Sequence, residues 1–490
     1  MSEPAKKKQR LVDVAKKVID VMRVERTSEA HMILREYVGN EIQKRPGDVP
    51  GITHPGSTGV IYCTDRAMAN GFSYDNPDWG NMGQGAPEVG PLPDAPPRPT
   101  ALDFDTEGEL IHEYAPTAGV KQLRKAVAKL YNETYRKGMA SQYTYENVCI
   151  VPGGRAGMSR VAAVIGDVYC GYQIPEYTTY SEVLAVFKRL IPIPTPLLPE
   201  NNYHLDIDRL KRDIATFSLS VVVMSNPRNP TGQCIEGEDL KKLVRIGDGQ
   251  TTIILDEFYS FYKYWEDESR LGESLSGAAY VDDVNQDSVV IIDGLTKGFR
   301  LPGWRVCWVV GPKKLISAVA SSGSFLDGGA NHPLQIAAIP LLDPARVHKE
   351  KIALQKTFKA KRDYVLDRLS KMPGLKVHPE PHATFYIWLD VSGLPAPLDD
   401  GLVFFEELLK EKAICVPGIA FDIDPAARRN LFESPCHHFV RLSYGPKIEN
   451  LKKGMDAIER VLAKHAEAAH LMGQGYQRSD NAEAVGTNHG

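Results

Sequence analysis

The middle of the chain sets the tightest limit on its fold. Seven short apolar runs, at 148–151, 167–172, 190–193, 219–224, 252–255, 289–292 and 306–310, follow one another along the sequence. The segments at 155–164, 179–189, 207–216 and 236–247 lie between runs and carry apolar residues at helical spacing. Runs of Val, Ile and Leu without polar alternation are strands covered on both faces. Strands that alternate with helices are the rhythm of crossover units, which lay the strands parallel in one sheet. The expected fold is therefore α/β, with a large domain built on a mainly parallel seven-stranded sheet covered by helices. At 490 residues the chain exceeds one ordinary core. A long helical pattern at 346–369 leads into alternating segments at 384–390, 413–416 and 439–443, with helices expected at 403–410 and 451–463. That region is expected to be a smaller α/β C-terminal domain.

The flanks read differently. Residues 9–45 have one apolar helical face, and 46–100 are dense in Gly and Pro with little periodicity. Such a stretch is expected to pack as an arm on the small domain or on a partner subunit. Its Tyr62, Phe72, Tyr74 and Trp79 suggest an aromatic mouth to a site. Past 466 the composition turns to Gly, Gln, Asn, Ser and charge, which predicts a disordered tail. The expected divisions are an arm at 1–100, a large domain at 101–345, a small domain at 346–466 and a tail at 467–490. A net charge of −4 gives no reason to expect nucleic acid or an anionic membrane as partner. The seven cysteines are scattered without metal-ligand spacing, so reduced thiols and no metal are expected. No apolar run reaches bilayer length and the first thirty residues lack a signal-peptide core, which predicts a cytoplasmic protein.

Ligands of such sheets bind beyond the carboxyl ends of the strands, so residues following the runs are the candidates. Lys297 stands in Asp293-Gly-Leu-Thr-Lys-Gly-Phe-Arg-Leu-Pro-Gly-Trp-Arg305, directly after an apolar run. A lysine forms a covalent imine with an aldehyde, and a guanidinium such as that of Arg305 clamps a phosphate. Pyridoxal 5′-phosphate carries both groups. Its ring nitrogen needs a fixed carboxylate, and Asp256 ends the run before it. Its phenolic oxygen needs partners, for which Tyr259 and Asn229 are placed, the latter in Ser225-Asn-Pro-Arg-Asn-Pro-Thr-Gly232. Its phosphate suits the amides of Gly154, Arg155 and Ala156 at a helix start, and its ring face suits Tyr177. A substrate carboxylate suits Arg441, on a strand of the second region. Each residue alone has a plainer reading: Asp256 as a helix cap, Asn229 as part of a turn, Tyr177 as core or surface, Arg441 as a surface strand arginine.

In order along about 80–465, these signals resemble the class I/II group of fold-type I pyridoxal-phosphate-dependent aminotransferases. The resemblance also takes in Asn81-Met-Gly-Gln-Gly-Ala-Pro87, Tyr114-Ala-Pro-Thr-Ala-Gly119 with Leu123-Arg124, and Asp256-x-x-Tyr259. It implies that Lys297 carries the imine and shuttles the proton, while Asp256 pairs with the ring nitrogen. Tyr259 and Asn229 hold the phenolic oxygen, and Arg305 with the amides of Arg155 and Ala156 binds phosphate. Tyr177 would stack on the ring, and Gly85, Asn229 and Arg441 would border the substrate. Tyr114 resembles the tyrosine that reaches the phosphate of the neighbouring subunit, which implies a homodimer with shared sites. The activity implied is transfer of an amino group from an amino acid to a 2-oxo acid. The same scaffold also serves carbon–sulfur β-lyases and cyclopropane-forming synthases, and pyridoxal-phosphate-binding regulators are a third reading. Two departures stand out. Gly294 occupies the place of a phosphate-binding serine, with the question of whether Thr296 replaces it left open, and Arg155 stands where a small or hydroxyl residue is usual. Arg155 is open to three readings: a phosphate ligand, a contact for an acidic substrate, or a solvated side chain.

Overall fold

A computed structural model describes residues 32–37, 59–104, 108–186, 189–246, 249–425 and 428–484. Helix α1 (Gly59–Ala69), strand β1 (Gly80–Asn81) and helix α2 (Lys121–Tyr135) precede the main sheet. The apolar runs become β2 (Val148–Val151), β3 (Val168–Ile174), β4 (Leu190–Pro196), β5 (Leu219–Ser225), β6 (Thr252–Asp256), β7 (Val289–Gly294) and β8 (Cys307–Val310). They form one sheet in the order β2-β8-β7-β6-β5-β3-β4. Neighbours from β7 through β4 are parallel, and β8 runs antiparallel to both β7 and β2. Every residue of β2, β7 and β8 is buried, which is why these runs show no polar alternation. The crossovers carry α3 (Gly154–Val164), α4 (Tyr180–Val186), α5 (Ile207–Phe217) and α6 (Gly237–Arg245), and α7 (Lys313–Leu326) follows β8. This is the mainly parallel seven-stranded α/β sheet expected.

Helices α8 (His332–Ala338) and α9 (Pro344–Ser370) lead to a second sheet. The Asp343 carboxylate accepts from the Arg346 amide and Pro344 takes the first helical position, a strong start for α9. Beyond it lie β9 (Lys376–Val377), β10 (Tyr386–Asp390), α10 (Gly401–Lys410), β11 (Ala413–Ile414), β12 (Val416–Pro417), β13 (Phe439–Ser443) and α11 (Ile448–Ala484). The sheet order β12-β13-β10-β9 is antiparallel throughout and sets Trp388 opposite Arg441. The segment before the large sheet joins this region. β1 pairs in parallel with β11, and Arg66 of α1 grips Glu406 through two bonds of 2.8 and 2.7 Å.

Of the helix expected over 9–45, residues 32–37 are described and helical; the rest lies outside the described residues. Helix α11 runs to Ala484, past the point where composition predicts a disordered tail. Ala, Lys, Glu, Leu and Met are strong helix formers and fill much of 462–472. Arg460 and Lys464 also anchor the helix by both bonding Glu411.

Candidate active site

The carboxyl ends of the strands open on a cavity of about 400 Å³. Gly85, Gly154, Arg155, Tyr177, Asn229, Asp256, Tyr259, Lys297, Arg305 and Arg441 line it together, although 356 positions separate the first from the last. Two expected residues do not line it. Ala156 sits in the first turn of α3, where its amide, like those of Gly154 and Arg155, has no acceptor within the helix. Tyr114 lies elsewhere on the surface and is 92% exposed. The aromatic mouth also departs from expectation. Tyr62, Phe72 and Trp79 are buried, and Phe72 packs on Tyr74 and Trp79 with ring centroids 5.3 and 5.5 Å apart. Apolar side chains found their best burial in one another, and from 59–79 only Val60 reaches the cavity.

Lys297 is half-buried in the cavity wall. Its Nζ donates to the Gly85 carbonyl, and its own carbonyl accepts from the Tyr262 hydroxyl at 2.8 Å. Burial, with the Arg441 charge second, lowers its amine from 10.5 to about 7, against an opposing pull from Asp256. Asp256 shows the reverse. Burial raises its carboxyl from 3.8 to about 7, although Tyr180 donates to its Oδ2 at 3.0 Å. Gly85 sits close to Tyr386: a Cβ there would stand 3.2 Å from the hydroxyl, tighter than ordinary van der Waals contact.

Arg441, 1% exposed, donates from Nη1 to Asn229 Oδ1 at 2.9 Å and from Nη2 to the Gly83 carbonyl at 3.0 Å. Its Nε is buried without a partner, a donor held ready for an anion. At the opposite end, Arg305 adopts left-handed backbone (φ 53°) and lies against Gly153 so closely that a Cβ there would be 1.8 Å from Nη2. A Cβ on Gly154 would be 2.4 Å from Phe258 Cζ. These two glycines let Arg305 and Phe258 close on the start of α3. Arg155 is exposed and donates from Nε to the Tyr177 hydroxyl at 3.4 Å.

Thr296 lines the cavity with its Oγ1 3.1 Å from Cys307 Sγ. Gly294, where the serine is missing, closes β7 with no space for one: a Cβ would be 2.5 Å from both Cα and Sγ of Cys307. Sequence reading missed three further residues. Tyr386 lines the cavity, its hydroxyl 2.7 Å from that of Tyr259. Tyr180 supports Asp256, and its place three residues after Tyr177 was the available hint. Glu176, fully buried, accepts from the amides of Tyr177 (2.9 Å) and Ser225 (3.1 Å), from the Ser225 hydroxyl, and from Arg228 Nη1 at 2.5 Å. Ser225 Oγ in turn accepts from the Asn229 amide at 3.2 Å. One carboxylate thus ties the Tyr177 loop to the Asn229 loop.

The donor set suits pyridoxal 5′-phosphate group by group. Free amides, a guanidinium and a hydroxyl meet at one end, a buried carboxyl at the sheet, and an amine, a phenol and an amide between them. Among the described residues, no cluster of His, Cys, Asp or Glu would hold a metal ion.

Comparison with known proteins agrees with this reading. The family model described as aminotransferase class I and II matches residues 77–458. A probable aspartate/prephenate aminotransferase of Aquifex aeolicus is 27% identical over 354 residues, 71% of this chain and 83% of that protein. An aspartate aminotransferase of Thermotoga maritima is 27% identical over 387 residues, covering 78% and 91%. In fold, the chain is similar to aspartate aminotransferase from Thermus thermophilus with maleate, at a TM-score of 0.67 and 24% identity over 84% of this chain and 97% of that one. Sheet order, cavity and matched span concur, and the chain belongs to the class I and II aminotransferases, enzymes that depend on pyridoxal 5′-phosphate.

Proposed function

We propose that this aminotransferase works through the residues gathered at the cavity, with Lys297 as the proton carrier. The observation that carries the reading is the Lys297 amine on the cavity wall, bonded to the Gly85 carbonyl and lowered to about 7 by burial and the Arg441 charge. An uncharged amine is both a nucleophile and a base at neutral pH, whereas an ordinary lysine is neither. The cofactor, when bound, supplies an electron-withdrawing ring that lets the hydrogen leave the carbon bearing the amino group. Asp256 would keep a proton on the ring nitrogen by setting its carboxylate charge beside it. Tyr259 and Asn229 hold the phenolic oxygen, and Tyr177 covers the ring. Arg305, Thr296 and the amides of Gly154, Arg155 and Ala156 bind the phosphate. Arg441 and Asn229, already bonded to each other, take the carboxylate of the amino acid and so fix which bond of its α-carbon faces Lys297. Lys297 then moves the proton.

The site is completed by a second copy of the chain. Tyr114, 92% exposed in one protomer, supports a homodimer in which it reaches the partner's phosphate. The cysteines, all unpaired and buried, suit the reducing cytoplasm, and among the described residues no helix is long and apolar enough to cross a membrane. Relatives named aspartate/prephenate aminotransferase and glutamate/aspartate-prephenate aminotransferase support aspartate and glutamate as the first trial amino donors. The test is the absorbance of the purified holoenzyme before and after each amino acid. Conversion of the visible band with stoichiometric 2-oxo acid, lost in Lys297→Ala, is expected. Accumulation of pyruvate and ammonia with the band unchanged would make the enzyme a lyase. For the dimer, mixing Lys297→Ala with Tyr114→Ala subunits is expected to recover activity that neither has alone.

A further inference from the structure

Tyr386 comes from β10, on the second sheet, and meets Tyr259, which follows β6 on the first. Both residues are buried, at 1% and 6% exposed. Two hydroxyl oxygens 2.7 Å apart share a single hydrogen bond, so one of the two protons lies between them and the other points elsewhere. If Tyr259 is to donate to an oxygen in the cavity, the shared proton must come from Tyr386.

We propose that Tyr386 is a positioning residue that donates its hydroxyl proton to Tyr259 and so commits the Tyr259 proton to the phenolic oxygen of the cofactor. This rests on the role given above to Tyr259. Three observations support the arrangement, and the first of them chooses Tyr386 as the donor. The Arg441 guanidinium lies over its ring, 4.1 Å from the centroid, and a cation on a ring face draws electron density from the phenol and makes it the better donor. The Tyr259 ring has a cation only at 6.0 Å, from the Lys297 amine that burial holds near neutrality. Second, Tyr386 cannot turn aside. Its amide donates to Thr384 Oγ1 at 3.1 Å, its backbone pairs with Ser443, and the Phe385 ring packs 4.7 Å from it. Third, glycine at 85 leaves the hydroxyl uncrowded, since a Cβ there would stand 3.2 Å from it. The charged and titratable groups around the pair are Arg441 from β13, Lys297 after β7, Asp256 at the end of β6 and Tyr177 after β3. A hydrogen bond accepted by Tyr259 strengthens the one it gives, because linked bonds polarise each other.

The experiment is a pH titration of the visible absorbance of four holoenzymes: unaltered, Tyr259→Phe, Tyr386→Phe and the double variant. The phenolic oxygen carries the most negative charge in the deprotonated chromophore, so a lost donor raises the midpoint. Tyr259→Phe is expected to raise it by about one to two pH units, the worth of a hydrogen bond to a charged acceptor. Tyr386→Phe is expected to raise it by a few tenths of a unit, the roughly 10–30% that a linked bond adds. The double variant is expected to match Tyr259→Phe. A Tyr386→Phe midpoint that does not move, moves down, or moves equally with and without the Tyr259 hydroxyl would overturn the inference while sparing Tyr259. An unmoved midpoint in Tyr259→Phe itself would remove the role of Tyr259 and this inference with it. Phenylalanine keeps the ring and its packing, so a purely structural role predicts no change in midpoint.

Discussion

Replacing Lys297 with methionine is expected to stabilise the cofactor-free protein at neutral pH, although it abolishes the enzyme. Its amine binds a proton up to about 10.5 in the unfolded chain but only up to about 7 in the fold. Between those values unfolding takes up a proton, so stability rises with pH across the window and the penalty is complete below it. The two values set the cost to the fold at roughly 4 kcal/mol at pH 7 and roughly 2 kcal/mol at pH 9. Methionine fills much the same volume without charge but gives up the bond to the Gly85 carbonyl, about 1 kcal/mol. The net gain is then about 3 kcal/mol at pH 7, falling to about 1 kcal/mol at pH 9. Urea unfolding of both proteins, stripped of cofactor and followed by tryptophan fluorescence at the two pH values, measures it. An equal gain at both values, or a loss at pH 7, would refute the claim that burial holds this amine near neutrality.

Gly153→Ala is expected to displace Arg305, whose guanidinium occupies the space of the new methyl group. Cofactor affinity measured by fluorescence titration of the apoenzyme should fall at least tenfold. Glu176→Ala leaves Arg228 buried without its carboxylate and should cost about 3–5 kcal/mol in urea unfolding, whereas Glu176→Gln with Arg228→Met should cost much less. Asp256→Asn is expected to retain bound cofactor, seen by absorbance, while turnover drops by about 10² to 10³.

The large sheet was legible because strands covered on both faces write themselves as unbroken apolar runs, and β2, β7 and β8 are of that kind. Each cavity residue that follows a strand could be found the same way, since chain position and location at the strand end coincide. Tyr386 and Glu176 escaped for opposite reasons. Tyr386 lies within a strand whose residues on both faces are buried, so alternation does not single out the side that meets the first sheet. Glu176 acts largely through Ser225 and Arg228, which stand 49 and 52 positions away with no spacing rule to link them to it. The aromatic arm misled because an apolar ring in an irregular segment serves a core as readily as a pocket. Tyr114 shows a further limit: it lies exposed and away from the cavity, and the role proposed for it needs a second copy of the chain.

The fit between Gly294 and Cys307 also constrains the order in which this site can change. A serine at 294 introduced alone meets the backbone and sulfur of Cys307 and spoils the end of β7, while a smaller residue at 307 introduced alone deprives Thr296 of its neighbour. Trimming position 307 removes the sulfur but leaves the Cys307 Cα 2.5 Å from the new Cβ, so the backbone of β8 must also move before a hydroxyl can stand at 294. Glycine at 294 is thus written into the spacing of β7 and β8, which pair it directly with Cys307.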